Sequence, residues 1–477
     1  MTLRRRTVLL GASALGLAAC KRNKDPIVPE VWDEAPVPER AEALGKLAPP
    51  WPAPARAVLD SGLITYWLLE PEAPQVHVRL FIPDHDGQPF PALVARTIGR
   101  TLRAEVQRRL GRSAARAELQ RAAGRLELHV TGPASALPRI ARALAQPLDP
   151  AARSDKLATS LVRAREKEAR EGTERTALDV ATACTVGALL GLPMDSQRID
   201  PTRAGTVRDA VLLDAWQRML DPRRCALVVH APQAAEEVPA IFDLLARWRG
   251  EGRADAADSS LARLRWTPPE PTSASQLFTD GGAPLRLPTE PVSRGAKLVV
   301  GRLLDTPTPQ DRAMARLAQR IAAETLDVRV AVVGPHALLM ANETMRETSA
   351  EATAQRLIEA LGSLGRTRAP QQQLFTAAQL WLGARVVQAS LDGEDWTALW
   401  SQSMDLATTD ADIPRALATD AAAMLAIDGE GLAAFTKANF DPKLGTPGWA
   451  WSLAGATRKM ERQLSRFAAT VPVGPEG

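Results

Sequence analysis

Two strand-like segments followed by one long amphipathic segment constrain the fold of this chain most. In residues 75–82, valine, leucine and isoleucine alternate with polar side chains, which is the period of a half-buried strand. Residues 62–69 form a similar segment just before it. From Val94 to Leu110, apolar residues recur every four positions with arginines between them, so a helix with one buried face is expected. Strand, strand and long helix are predicted to open an α+β domain.

The same order of segments recurs in the second half of the chain, which predicts a duplicated domain. The other predicted strands are 124–131, 225–230, 297–304, 328–333 and 337–341. The other predicted helices are 135–148, 149–170, 174–190, 206–220, 236–248, 308–325, 349–364, 371–388, 396–406, 413–427 and 429–440. Residues 55–250 and 276–465 are the two predicted domains, with a Gly- and Pro-rich linker at 251–275 and a tail at 466–477.

The first 54 residues have the pattern of an export and anchoring segment. Residues 1–19 combine Arg4, Arg5 and Arg6 with an apolar stretch too short to span a bilayer, as in a signal peptide. The stretch ends in Leu-Ala-Ala before Cys20, which looks like a lipoprotein processing box, so lipidation is predicted at Cys20. Arg5 and Arg6 also resemble a twin-arginine export signal. Residues 20–54 are polar and Pro-rich, which is typical of a tether.

These features predict a lipid-anchored protein on the periplasmic side of a bacterial cell envelope. Lys21 after the lipidated cysteine does not resemble an inner-membrane retention signal, which favours the outer membrane. Removing residues 1–19 lowers the formal net charge from +4 to about +1, so the basic composition does not indicate nucleic acid binding. The two remaining cysteines, Cys184 and Cys225, are expected to be buried thiols rather than a disulfide.

Four segments occur in a characteristic order and spacing. They are Val58-Leu-Asp-Ser-Gly-Leu-Ile-Thr65, Pro74-Gln-Val-His-Val-Arg-Leu80, Leu189-Leu-Gly-Leu-Pro193 and Asp221-Pro-Arg-Arg-Cys-Ala-Leu-Val-Val-His230. Together they resemble the insulinase or pitrilysin-type metallopeptidases, also called inverzincins, over roughly residues 55–455. The resemblance implies an α+β fold of two tandem insulinase-like α/β-roll domains, of the metalloenzyme LuxS/peptidase-like type, that form a clamshell around peptides.

The zinc motif of that family is missing. Active members carry His-x-x-Glu-His on the first long helix, where residues four apart share one face and bind one Zn²⁺ while the glutamate activates water. Here the corresponding helix at 91–110 contains no histidine, and its single acid, Glu105, lies between Arg103 and Arg108. The five histidines of the chain are too far apart for a helical pair. We therefore predict no catalytic residues, no metal ligands and no cofactor, although zinc is expected for the family.

The other family features have simpler explanations in this chain. Glu166, Glu168 and Glu171 are candidates for the zinc ligand on the later helix, but the basic residues between them indicate a solvated, charge-paired face. Active members also use an arginine and a tyrosine of the second domain to steady the substrate carbonyl. The only tyrosine here is Tyr66, in the first domain.

The remaining histidines do not indicate a metal site either. Asp84, His85 and Asp86 are adjacent and precede Gly87, a pattern that favours a turn. His77 and His129 occupy polar positions of predicted strands.

We therefore predict an exported, lipid-anchored, non-catalytic peptidase homologue. It is expected to bind peptide or to support a catalytic insulinase-family subunit, because such folds often work as pairs of one catalytic and one non-catalytic subunit. Two alternatives remain open: an active zinc metallopeptidase with relocated ligands, and a stand-alone envelope adaptor.

Overall fold

The computed structural model places two six-stranded sheets in one chain. It describes residues 54–71, 73–122, 124–149, 156–171, 176–192, 196, 198–199, 201–232, 238–245, 248, 261–264, 284–289, 292, 295–306, 308–323, 326–333, 336–364, 396–407, 409–440, 448–465 and 469–473. The predicted signal, the predicted tether up to residue 53 and the predicted helix at 371–388 lie outside these ranges. None of the described helices is both long enough and apolar enough to cross a membrane.

Among the residues that the structure describes, the first lobe contains eight strands and six helices. Its strands are β1 (Ala55–Val58), β2 (Ile64–Leu69), β3 (Val76–Pro83), β4 (His85–Asp86), β5 (Gln88–Pro89), β6 (Arg116–Ala122), β7 (Arg125–Gly132) and β8 (Ala226–Ala231). Its helices are α1 (Ala92–Leu110), α2 (Leu137–Leu148), α3 (Lys156–Glu171), α4 (Ala177–Leu190), α5 (Asp209–Met219) and α6 (Val238–Leu245).

The second lobe contains six strands and six helices among the described residues. Its strands are β9 (Leu285–Pro288), β10 (Ala296–Asp305), β11 (Asp327–Val333), β12 (His336–Met345), β13 (Trp449–Ala454) and β14 (Thr470–Val473). Its helices are α7 (Pro309–Ala322), α8 (Ala350–Leu364), α9 (Trp396–Met404), α10 (Ala416–Leu425), α11 (Gly429–Asn439) and α12 (Arg458–Leu464). Strand β14 lies in the segment that the sequence assigned to the tail.

Five strands of each sheet have the same topology, which agrees with the predicted duplication, while the edge strands β1 and β14 differ in direction and in chain order. The first sheet has the order β1-β2-β8-β3-β7-β6 and the second the order β11-β12-β10-β13-β9-β14. In chain order, β2, β3, β6, β7 and β8 correspond to β9, β10, β11, β12 and β13. The pairs β2–β8 and β9–β13 are both parallel, while the neighbours of β3 and β10 are antiparallel. The predicted fold class, α+β with two tandem domains, is confirmed.

Helix α1 covers one face of the first sheet. Val94, Ile98, Leu102, Val106 and Leu110 are fully or almost fully buried against apolar side chains of β3 and β7. The helix ends at Gly111, whose φ of 62° lies in the left-handed region that glycine adopts without steric cost. The arginines that separate these apolar residues therefore lie away from the sheet.

The opposite face of each sheet is covered by a helix of the other lobe. Helix α4, from the first lobe, packs on β10 and β13 of the second sheet through Val180, Cys184 and Leu189. Helix α9, from the second lobe, packs on the first sheet, where Trp396 and Trp400 contact its apolar side chains. Because of this exchange, strand β3 is buried on both faces. The prediction that residues 75–82 form a half-buried strand is wrong, since the sequence does not show which distant helix covers the polar face.

Gly301 allows α4 to approach β10 closely. A Cβ atom at this position would lie 2.8 Å from Thr185 Cγ2 and 3.0 Å from Leu189 Cδ1. We expect Gly301→Ala to lower the free energy of unfolding by about 1–3 kcal/mol, since overpacking forces the helix away from the sheet. Urea denaturation measures this loss. The matched control is Gly205→Ala, where nothing lies within 4 Å of the added methyl group. Equal stability of the two variants would show that α4 does not pack on β10 in this way.

Candidate functional site

The side of α1 that faces away from the sheet lies against helix α3. The sequence resemblance implies that these two helices correspond to the helix of the zinc motif and to the later helix that supplies the third ligand in that family. Here α1 carries Arg100 at the contact, and α3 carries Glu168 and Glu171. Arg100 Nε lies 2.5 Å from Glu168 Oε1, and Arg100 Nη2 donates a hydrogen bond to Glu171. A guanidinium therefore joins the two helices that would jointly hold the metal.

Burial and charge both show that this contact is more than a solvated surface pair. Glu168 is 7% exposed, so the prediction of a solvated face is wrong at this position. Glu171 is exposed; the hydrogen bond from Arg100, together with the charge of that guanidinium, holds the pKa of Glu171 below its usual range. In the same way, the hydrogen bond with Glu171 raises the pKa of Arg100. The positive charge at this point is permanent.

The residues around this contact do not fit a zinc ion. Zinc in proteins is bound by His, Cys, Asp or Glu, and helix α1 offers arginines at its exposed positions. Its one acid, Glu105, bonds to Arg108 at 2.8 Å and to Arg109. Burial by itself would raise the pKa of Glu105, but hydrogen bonds and charge from Arg108 and Arg109 leave it below its usual value. Within the described ranges, no group of three or more His, Cys, Asp or Glu could hold a metal ion.

The two aspartates of the Asp84–His85–Asp86 cluster pair with different arginines. Asp84 is buried and accepts a hydrogen bond of 2.8 Å from Arg121 Nε. Asp86 lies in the short β4–β5 hairpin and pairs with Arg218 and Arg224 at 3.2 and 3.3 Å. Burial lowers the pKa of His85, and so does the charge of Arg224, although Asp84 and Asp86 oppose this. The hairpin agrees with the predicted turn, and its carboxylates are committed to structural ion pairs.

A buried polar layer lies between the first sheet and helix α9. Glu127 on β7 accepts hydrogen bonds from Arg79 at 3.0 Å and from Arg125 at 2.9 Å, and Ser401 Oγ donates to it at 2.6 Å. Arg125 also pairs with Asp405, just after α9. Burial alone would raise the pKa of Glu127, but the charges of Arg125 and Arg79 outweigh it, so its pKa lies below the usual range. This network joins residues almost three hundred positions apart, and no local sequence signal indicates it.

Three of the five histidines lie side by side in the same layer. His77 Nδ1 and His129 Nε2 are 3.2 Å apart, within hydrogen-bond distance, and the ring of His77 also stacks on that of His230. His230 Nε2 lies 3.1 Å from a carboxylate oxygen of Glu70. His77 is only 2% exposed. The polar strand positions predicted for His77 and His129 are therefore correct, but helix α9 shields His77 from solvent.

The only tyrosine also has a structural partner. Tyr66 donates a hydrogen bond of 3.1 Å to Asp410 and packs against Trp400. Burial, reinforced by the charge of Asp410, raises the pKa of Tyr66 to about 12. Its hydroxyl therefore stays protonated and helps to join the lobes. The cysteines Cys184 and Cys225 are buried in separate elements and do not form a disulfide, as the sequence predicts.

The fold is a two-lobed scaffold in which Arg100 of α1 pairs with Glu168 and Glu171 of α3. No family model and no curated protein matches the chain in sequence. Solved structures do match its fold. A protease from Helicobacter pylori aligns with a TM-score of 0.62 and 9% identity, over 85% of this chain and 100% of its own.

Two further structures extend the comparison to the M16, or insulinase-like, peptidases. The inactive domain of an M16 peptidase from Pseudomonas fluorescens aligns with a TM-score of 0.58 and 13% identity, over 85% of this chain and 98% of its own. The periplasmic protease PqqL from Escherichia coli aligns with a TM-score of 0.58 and 12% identity over 93% of this chain. This chain spans about half of PqqL, 50% of its length. Although the sequence identities are low, the structural alignments show that the chain has the fold of the M16 peptidases.

We expect Glu127→Gln to destabilise the chain strongly, because Arg79 and Arg125 would remain buried without their shared carboxylate. The free energy of unfolding should fall by about 3–5 kcal/mol at neutral pH. The pKa of Glu127 is lower in the folded chain than its ordinary 4.5, so its stabilising effect is full above that value and is lost as the pH falls through the folded pKa. The difference between wild type and variant should therefore narrow below pH 4.5.

Urea denaturation at several pH values measures this difference. The matched control is Glu118→Gln, on the adjacent strand β6, where the side chain is exposed. A Glu127 variant as stable as the Glu118 variant at neutral pH would rule out a coupled buried network.

Proposed function

We propose that this chain is a non-catalytic member of the insulinase-like peptidases that holds a peptide segment or supports a catalytic partner of the same fold. The fold itself is that of the M16 peptidases. The observation that carries the non-catalytic part is the pairing of Arg100 with Glu168 and Glu171. A guanidinium donates hydrogen bonds but has no vacant coordination position, so it cannot activate a water molecule as zinc does.

The cleft between the lobes supports the peptide-holding part. A cavity of about 350 Å³ opens between α1 and α4 of the first lobe and strands β10 to β12 of the second. Its walls combine apolar side chains such as Leu178 and Met340 with polar ones such as Asn342. Mixed walls of this kind suit a peptide side chain together with its backbone groups.

The likeness to one half of a longer protease supports a partner of the same fold. The chain covers about half of the periplasmic protease PqqL, and it also matches a structure described as an M16 inactive domain. We infer that a second two-lobed unit completes the chamber, supplied by another chain that carries an intact His-x-x-Glu-His motif. The partner is proposed by analogy with the fold. It would supply the histidines that α1 lacks.

An envelope location and a lipid anchor belong to the same proposal. They rest on the pattern of residues 1–20, with Arg5 and Arg6 as the export signal and Cys20 as the lipidated residue. Several acyl chains on one cysteine give stable membrane attachment, which a single chain does not. The periplasmic location of PqqL is in keeping with this proposal.

Purification of the tagged full chain from solubilised membranes of its native host tests the proposal. We expect a peptidase-fold chain with intact His-x-x-Glu-His to co-purify, and chelator-sensitive peptide cleavage to require that chain. The isolated chain should cleave no peptide. The matched control is Cys20→Ser, which should move the protein from the membrane fraction to the soluble fraction.

The rival functions predict other results. Chelator-sensitive cleavage by the isolated chain would indicate a zinc peptidase with relocated ligands. A lone monomer that binds no peptide would indicate an envelope adaptor instead, and a Cys20→Ser variant that stays in the membrane would contradict lipid anchoring.

A further inference from the structure

We propose that the cleft selects peptides rich in aspartate and glutamate, and that arginines of α1 and α3 make this selection. This inference rests on the peptide-holding part of the proposed function and adds the chemical class of the peptide. The surface concerned, here called the cationic groove, consists of the cavity between the lobes and a second cavity that follows α1 and α3. Arg96 on α1 lines both cavities, so they adjoin each other.

The charge of the cationic groove is mainly positive. The second cavity has a volume of about 660 Å³ and lies along the contact between α1 and α3. The described residues that line the two cavities include eight Arg or Lys and four Asp or Glu. The basic residues are Arg96, Arg100, Arg103, Arg121, Arg163, Lys167, Arg198 and Arg329, and the acidic ones are Glu105, Glu168, Glu171 and Asp179. Positive charge concentrated in a cleft attracts anionic ligands more strongly than the same charge on a flat surface.

Three of these arginines remain available for a ligand. Arg96, Arg103 and Arg163 are exposed, and none of them has an acidic partner in the part of the chain that the structure describes. Arg100 and Arg121, in contrast, are already bound to carboxylates of the protein. The groove therefore combines guanidiniums fixed by internal ion pairs with guanidiniums free to bind a ligand.

The arginines and the apolar walls of the groove together favour carboxylates carried by a peptide. A guanidinium binds a carboxylate through two parallel hydrogen bonds, which a lysine ammonium cannot do. Next to Arg96, the cavity between the lobes has apolar walls that include Leu178, Val186, Ile199 and Met340. An acidic side chain followed by an aliphatic one would place its carboxylate on the arginines and its neighbour against these walls.

Single-stranded nucleic acid fits the groove less well. Proteins that bind it without sequence preference stack its bases on aromatic side chains. Among the described residues that line the two cavities, none is aromatic. The acidic side chains within the groove would also repel a continuous line of phosphates, whereas a peptide can place its carboxylates at separate points.

Fluorescence anisotropy with two labelled peptides tests this inference. One peptide carries Asp and Glu separated by aliphatic residues, and the other has Asn and Gln at the same positions. We expect the full mature chain to bind the acidic peptide up to about fivefold more tightly for each carboxylate that pairs with an exposed arginine. Raising the salt concentration should weaken the preference, because exposed charges are screened.

The triple variant Arg96→Ala, Arg103→Ala and Arg163→Ala should lose the preference. Its matched control is Arg139→Ala on α2, an exposed arginine outside both cavities. All three replaced side chains are exposed, so the variant should unfold at the same urea concentration as the wild type, which denaturation verifies.

Each other outcome contradicts a different claim. Equal binding of both peptides would overturn the acidic selection but leave the peptide-holding function intact. A preference unchanged in the triple variant would overturn the assignment to the cationic groove. If neither peptide binds, both the selection and the peptide-holding function fail, whereas support of a catalytic partner stands.

Discussion

Both faces of each sheet must be covered, and the chain achieves this by exchanging helices between its lobes. Helix α4 of the first lobe packs on the second sheet, and helix α9 of the second lobe packs on the first. The exchange buries apolar side chains of both lobes, so separating the lobes would expose them to water. The walls of the cleft are thus set by the same contacts that form the core.

The charged residues under α9 and those along α1 differ in how completely they are paired. Under α9, charged residues are buried and matched, with Glu127 shared between Arg79 and Arg125. Along α1, Arg100 pairs with Glu168 and Glu171, and Arg108 and Arg109 pair with Glu105. Arg96 and Arg103 line the cleft. The buried set fixes how the lobes meet. The set in the cleft is the one that we propose selects acidic peptides.

Much of the fold follows from local sequence patterns. The period of two in 75–82 correctly predicts that β3 is a strand, although both of its faces are buried, and the period of four in 94–110 correctly predicts α1 and its buried face. The local patterns do not predict the strands β1, β4, β5, β6, β9, β13 and β14. The burial of His77 could not be predicted from a local pattern either, since the helix that covers it is more than three hundred residues away.

The candidate site was predictable in one respect and not in another. The lack of histidines on α1 is a property of the sequence alone. The partner of Arg100 is not, because pairing depends on how α1 and α3 pack. Alternating charges on α3 indicate a solvated face by helical spacing, yet tertiary packing buries Glu168.

Thermal unfolding with added zinc, and again after a chelator, tests most directly whether arginine has replaced the metal-binding residues. A metal that binds only the folded chain raises its stability by about 4 kcal/mol at a thousandfold excess over the dissociation constant. We expect the midpoint temperature of unfolding to be identical with zinc and with chelator. Arg100 pairs with the carboxylates of Glu168 and Glu171, and α1 has no histidine. A midpoint that zinc raises and a chelator restores, at one bound ion per chain, would contradict this conclusion.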